Sequence, residues 1–388
     1  MPSKPQFVGE RVRLGDVLKS SSTRNKDNKC VNVYSVTNSK GFVPSEEYFS
    51  KEVFSKELRT YRVVARGMIA YNPSRINVGS VALQDKADEV VVSPLYVVFS
   101  TDESKLMPEY LVHFLKSKPG LDQIAFQSIG TVRINLKFKA LCQMELHIPP
   151  LGEQQARLNT LREIQLQIER AESQIAKLDQ LVKSRFVEMF GDLSGYESRA
   201  LEECVSVIES GKSPKCLVKP REGNGPGVLK LSAISSGVYK ETENKALPLD
   251  AKVTDGKMVC DGDILLARKN TPELVGQSVL VNHTDGNIMF PDIVFRMRVR
   301  PEVGEIYLSH VLSHSLAGAI KSLAHGSAKS MSNIPKSKLA KLLIPVPPLA
   351  LQQEFAVFAS QVDKSRFFFL GGERNEVLSI LDVVAYVC

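Results

Sequence analysis

A chain of 388 residues with 43% hydrophobic and 24% charged side chains can build two or three cored domains, which excludes a disordered protein. Its formal net charge of +7 favours a polyanionic partner without requiring one, and no apolar run approaches the roughly 18 residues needed to span a bilayer. The six cysteines form no C-x-x-C pair, which argues against a structural zinc site or a disulfide framework and for a reduced, cytoplasmic setting; the start MPSKPQFVGERVRLGD has no apolar core for a signal peptide.

Residues 1–148 read as a first, β-rich domain. Short runs such as VYSV, RVVA, MIAY, VVVS and LYVVFS are broken by Gly, Pro, Asn and Ser, as turns require. MPEYLVHFLKSKPG predicts a helix ended by Pro119-Gly120, and LCQMELHIPP predicts a further strand.

Residues 149–191 form a different kind of element. Pro149-Pro150 mark a helix start, no Gly or Pro occurs from Glu153 to Phe190, and Gly191 marks the stop. Leu161, Ile164, Ile168, Ala171, Ile175, Leu178 and Val182 recur at steps of three and four, the seven-residue pattern that seats one helix against another. The span predicts a helix of roughly 57 Å, and its single apolar stripe calls for a partner helix.

Residues 192–346 repeat the first domain at a separation of about 197 positions. NVYSVTNSKGFV (32–43) matches VLKLSAISSGVY (228–239), RVVARGMIAY (62–71) matches KMVCDGDILL (257–266), and EYLVHFLKS (109–117) matches IYLSHVLSH (306–314). Gly41 falls over Gly237, Gly67 over Gly262 and Gly130 over Gly326. Positive charge sits on the repeats, with 21 Lys+Arg against 15 Asp+Glu in residues 1–150 and 6 against 6 in residues 151–191.

Residues 347–370 predict a second helix, with Phe355, Ala359, Val362 and Phe369 on one face. The strings IPPLGEQQ (148–155) and IPVPPLALQQ (344–353) introduce the two helices in the same way. The fold class is therefore α+β: two tandem β-rich domains separated by a long helix, with the second helix packing antiparallel on it as a coiled coil. Residues 371–388, GGERNEVLSILDVVAYVC, have no counterpart of LDQLVKSRFVEMFG, and Gly371-Gly372 break the helix. Three consecutive Phe codons at Phe367–Phe369 make a T-rich tract where a frame slip is expected; a Leu-rich helix in another reading frame would bear this out.

Catalytic motifs are incomplete. Asn72-Pro73-Ser74 lacks the second proline and the aromatic of an amino-methyltransferase loop. Gly211-Lys212-Ser213 lacks the upstream glycine of a phosphate cradle, and Gly223–Gly227 precedes a strand where a dinucleotide loop precedes a helix. Asp250-Ala-Lys252 and Asp255-Gly-Lys257 read as surface turns. His310 and His314, four apart, could share a metal but have no third ligand nearby.

What remains is a set of polar and basic loops at matching places. Asn72, Arg75 and Asn77 follow the Gly67 turn, and Arg268, Lys269, Asn270 and Thr271 follow the Gly262 turn; Ser128, Thr131 and Arg133 flank Gly130, and Ser327, Lys329 and Ser330 follow Gly326. These residue types hydrogen-bond base edges and phosphates, so they are the candidate DNA-binding residues.

With the repeat, the Pro-Pro-Leu-x-x-Gln-Gln string and the helix ending KLDQLVKSRFVEMFG in place, residues from about 11 to 370 resemble the DNA specificity subunit of type I restriction-modification enzymes. The resemblance implies two target-recognition domains, each reading one half of a split site on double-stranded DNA. It implies no catalytic activity and no cofactor in this subunit. Two methyltransferase subunits modifying adenine N6 and motor-nuclease subunits would be recruited, with S-adenosylmethionine, ATP and magnesium used by those partners. Helix length would then set the spacer, at most about 17 base pairs. Deleting one heptad after Ile164 is expected to shorten the spacer or abolish binding, as read in a methylation assay. The rival class is a non-enzymatic coiled-coil scaffold joining other proteins, whose binding would lack the steep salt dependence of DNA binding.

Overall fold

A computed structural model of the chain describes residues 9–48, 57–128, 135–248, 251, 256–326 and 331–365. The chain divides into two units at Ser173/Gln174, so the long helix contributes its first part to one unit and its last part to the other.

In the first unit, alternation along short strands decides the layering. An antiparallel sheet has the order β2 (Leu18–Ser21), β9 (Val97–Thr101), β6 (Ile69–Tyr71), β7 (Val81–Leu83). On β9, Phe99 joins a core with Leu14, Tyr110, Phe114 and Leu158. Its neighbour Val98 joins Val36, Phe42, Val64 and Val90, from β3 (Tyr34–Thr37), β4 (Gly41–Pro44), β5 (Arg62–Ala65) and β8 (Glu89–Val92). A ribbon of β1 (Glu10–Arg13) and β10 (Glu145–Ile148) leads to the long helix. Pro119-Gly120 do not end a helix. The helix Pro108–Lys116 stops at Ser117, whose hydroxyl accepts from Gly120 N–H at 3.3 Å and caps the next helix, Lys118–Gln127. Proline belongs in that first turn because its missing N–H has no partner there anyway.

The second unit repeats this order: β12 (Val205–Ser210), β19 (Val294–Val299), β15 (Ile264–Ala267), β17 (Ser278–Leu280), with a ribbon of β11 (Ser198–Ala200) and β21 (Leu343–Pro345). Its smaller sheet joins β13 (Gly227–Leu229) to β14 (Asn244–Ala246) and, in parallel, to β18 (Ile288–Met289). The first unit has the same parallel link as a bridge from Val33 to Val91. The divergence lies where the tight β3–β4 hairpin gives way to residues 230–243, which include the short helix Ser232–Ser235. Gly67 and Gly262 have φ of +85° and +81°, a region that side chains with a Cβ resist. Gly130 lies outside the described residues.

The doubled Pro-Pro-Leu string is a latch. Gln154 is fully buried; its Oε1 accepts from Met107 N–H at 2.9 Å, and its Nε2 donates to Lys105 O and Pro149 O, both at 2.8 Å. Gln352, also fully buried, accepts from Gly304 N–H at 2.8 Å and donates to Pro347 O at 2.7 Å. In each unit one amide ties the start of a helix to the loop that follows the main sheet. The second glutamine stays out of the latch: half-buried Gln155 donates to Asn159 at 2.8 Å, one turn on along its own helix.

The long helix runs Leu151–Phe190, 40 residues or about 60 Å, and Gly191 stops it with φ +62°. The predicted stripe is its sheltered face: Ile164 is buried, and Leu161, Ile168, Ala171, Ile175, Leu178 and Val182 are half-buried. A second helix covers 349–365. In the second unit the Phe186 and Phe190 rings lie 5.2 and 5.7 Å from that of Phe355, while Arg185 pairs with Glu354 and reaches over Phe358. Phe190 meeting Phe355 while Arg185 reaches Phe358 is the sense of an antiparallel pair. Phe369, the tail 371–388 and the expected frame slip lie outside the described residues.

Candidate nucleic-acid interface

Strand registers gather the candidate loops. In the second unit Ser210 pairs with Phe295 and Ala267 with Val294, so the ends of β12 and β15 and the start of β19 share one end of the sheet. Residues 268–271 leave from that end, and β16 (Lys269–Asn270) pairs there with β20 (Ser332–Asn333). Ile334 N–H donates to Arg268 O at 2.8 Å. In the first unit Ser21 pairs with Val98 and Tyr71 with Val97; residues 72–80 leave from the equivalent end, and Leu136 N–H donates to Pro73 O at 3.1 Å. The loops after the second glycine are thus met, unit by unit, by the chain that follows the third-glycine segments, at Leu136 and at 332–334.

The individual residues divide. Arg75 is exposed and Asn77 half-buried, and neither side chain has a partner among the described residues. Asn72 builds the turn: its Oδ1 accepts from Ser74 N–H at 3.0 Å. Arg268 is held in place, with Nη1 on Ser210 Oγ at 3.2 Å, Nε on Asn333 Oδ1 at 3.4 Å and its guanidinium over the Phe295 ring. Lys269 is half-buried and Thr271 exposed. Asn270 is 6% exposed; its Oδ1 accepts from Thr271 N–H, while its Nδ2 has no partner among the described residues. A buried amide donor left over in this way costs about 1–3 kcal/mol and is a ready group for an arriving acceptor. Ser128 is buried and donates to Ile124 O at 2.8 Å, which turns its hydroxyl back into its own helix. Thr131, Arg133, Ser327, Lys329 and Ser330 lie outside the described residues.

The sequence reading did not count the loops that follow β2 and β12 as DNA-binding, taking Gly211-Lys212-Ser213 only as an incomplete phosphate cradle, yet both leave from the same sheet ends. Their signal was the string Lys-Cys-apolar at Lys29-Cys30-Val31 and again at Lys215-Cys216-Leu217.

His310 and His314 stack on each other with centroids 4.4 Å apart, and His310 stacks on Phe186 at 4.3 Å. Among the described residues no group of three His, Cys, Asp or Glu side chains could hold a metal. Burial, with His314 and Lys183 nearby, pushes His310 down to about 3. The unfolded chain takes up this proton near 6.5 and the fold does not, so stability is full above 6.5 and falls as pH drops toward 3. Between pH 7 and pH 5 the second unit should lose about 2 kcal/mol through this ring. Denaturation curves of the full chain at both values check this, with His310→Phe removing this share of the slope and leaving that of His314, which burial also lowers.

Two β-rich units on one strand order, each with its polar loops at one sheet end, define a tandem-module protein. The model of the type I restriction modification DNA specificity domain matches residues 10–180. The chain is similar to type I restriction-modification specificity subunits. It is 32% identical over 161 residues to the EcoEI specificity subunit of Escherichia coli, covering 41% of this chain and 27% of that one. It is 24% identical over 308 residues to the EcoKI specificity subunit of Escherichia coli, covering 72% of this chain and 65% of that one. The chain thus spans less than two thirds of the length of either relative. Among solved structures, the S subunit of a type I system from M. genitalium shares the fold, with a TM-score of 0.53 at 14% identity over 98% of this chain and 96% of that one. Among the described residues no helix is long and apolar enough to cross a membrane.

Proposed function

We propose that this chain is a sequence-specific DNA-binding subunit in which two target-recognition domains, over 1–148 and 192–346, each read one half of a split duplex site. The reading is supported above all by the repeated placement of polar and basic loops at one sheet end, on a scaffold shared with specificity subunits. Bases would be read by short polar side chains such as Asn77 and Asn270, and phosphates by cations such as Arg75 and Lys269. The chain would do no chemistry itself. It would recruit two methyltransferase subunits and motor-nuclease subunits, which would use S-adenosylmethionine, ATP and magnesium.

Sequencing of DNA methylation in the host with and without the gene tests this directly. Loss of one bipartite methylated motif on deletion is the expected result; an unchanged methylation pattern would refute the reading. A protein scaffold would instead bind its partners without the steep salt dependence that counterion release gives to DNA binding.

A further inference from the structure

The loops that follow the first strand of each main sheet carry a second set of cations. In the second unit Lys212 and Lys215 are exposed, and their side chains have no partner among the described residues. In the first unit the same holds for Arg24 and Lys26. An ordinary solvated loop would be loose, and these are anchored. A Cβ on Gly211 would lie 1.9 Å from Phe290 O, which pins the start of the second loop against the sheet, and Ser213 bonds to Asp292. Leu217 N–H donates to Ala246 O at 2.9 Å, and Ala246 N–H to Lys219 O at 3.0 Å, fixing the far side. In the first unit the buried Asn25 closes the loop with its own amide, donating to Cys30 O at 2.7 Å and accepting from Cys30 N–H at 3.1 Å.

The two loops share a plan as well as a place. Cys30 packs against Leu58, Tyr61 and Val91, and Cys216 against Val228, Leu247 and Met289, so a small thiol plugs the smaller lobe in each. Beside each plug an apolar side chain faces outward: Val31 is 68% and Val218 100% exposed. A rigid tip with unpartnered cations and a bare valine fits the polyanionic backbone of a duplex and the apolar sugar and thymine-methyl edges beside it. Ordering such a loop before binding also lowers the entropy lost on association.

We propose that residues 22–31 and 211–219 form a further DNA-contacting element in each unit, with Arg24, Lys26, Lys212 and Lys215 on phosphates. This rests on the DNA-binding reading above and extends it to loops at the same sheet ends.

The test uses the full chain, a mixed-sequence duplex of about 40 base pairs, and binding measured across a salt series. Lys212→Gln with Lys215→Gln should lower the slope of log K against log salt by about 1.8, as should Arg24→Gln with Lys26→Gln, since each phosphate contact contributes about 0.9. Lys105→Gln, an exposed cation just beyond the other end of β9, should leave the slope alone. Melting temperatures within a degree or two of wild type would show that the variants fold. A wild-type slope retained by both double variants, or a loss no larger than that of Lys105→Gln, overturns the inference while the DNA-binding reading stands. A wild-type chain whose affinity ignores salt overturns both.

Discussion

Gln154→Leu should destabilise the first unit by roughly 3–5 kcal/mol, and Gln352→Leu the second by roughly 2–4 kcal/mol, because buried backbone groups that lose a partner cost about 1–3 kcal/mol each. The leucine is close in volume to the amide, so little cavity is left and the effect isolates hydrogen bonding. Gln154 satisfies three backbone groups and Gln352 two, which sets the order of the two effects. Gln155→Leu should stay within about 0.5 kcal/mol of wild type, as surface changes do. Urea denaturation of the full chain, followed by probes in each unit, measures all three. Equal losses for Gln154→Leu and Gln155→Leu would mean that the string is held by something other than the latch.

Asp263→Ala should cost the second unit about 3–5 kcal/mol, the range for breaking a buried ion pair from one side. Asp263 is 1% and Arg296 4% exposed. The Asp263 carboxylate accepts from Arg298 Nε at 2.8 Å and from Cys260 N–H at 2.9 Å, with Arg296 Nη1 at 3.7 Å. Arg296 also pairs with Glu209, donates to Met258 O at 2.6 Å and stacks over the Phe290 ring. Strand register equates Glu209, Arg296 and Asp263 with Ser21, Val98 and Met68 of the first unit. The first unit therefore fills the same layer without charge. Installing Ser, Val and Met together at the three positions should recover most of the loss from Asp263→Ala, since apolar replacement of a buried ion pair is often neutral. Thermal unfolding of the single and triple variants decides it, and a triple variant weaker than Asp263→Ala would contradict the equivalence.

Much of the architecture was legible in local pattern. The long helix could be read because neither Gly nor Pro interrupts 153–190 and the apolar period is continuous, and the repeat because matching strands recur at a constant offset. Pro119-Gly120 misled: the same dipeptide that ends a helix can begin one, and the choice rests on the Ser117 cap and on a glycine whose Cβ position would lie 2.0 Å from Phe114 O. The candidate loops were legible as polar segments after glycines that recur in both repeats, yet the fate of each side chain was not. Nothing local distinguishes the exposed Arg75 from Arg268, which is engaged by Ser210, Asn333 and Phe295, because those partners are 58 and more residues away or on another strand.

Periodicity, turn residues and internal repetition act between neighbours along the chain, and from them came the element types, their order and the duplication. Which glutamine of each Gln-Gln pair turns inward, which arginine is spent on the scaffold, and which loops meet at one sheet end were decided by strand pairing between distant segments. Pairing costs loop-closure entropy and is stabilised by burial summed over the whole unit, and no short window of residues contains that sum.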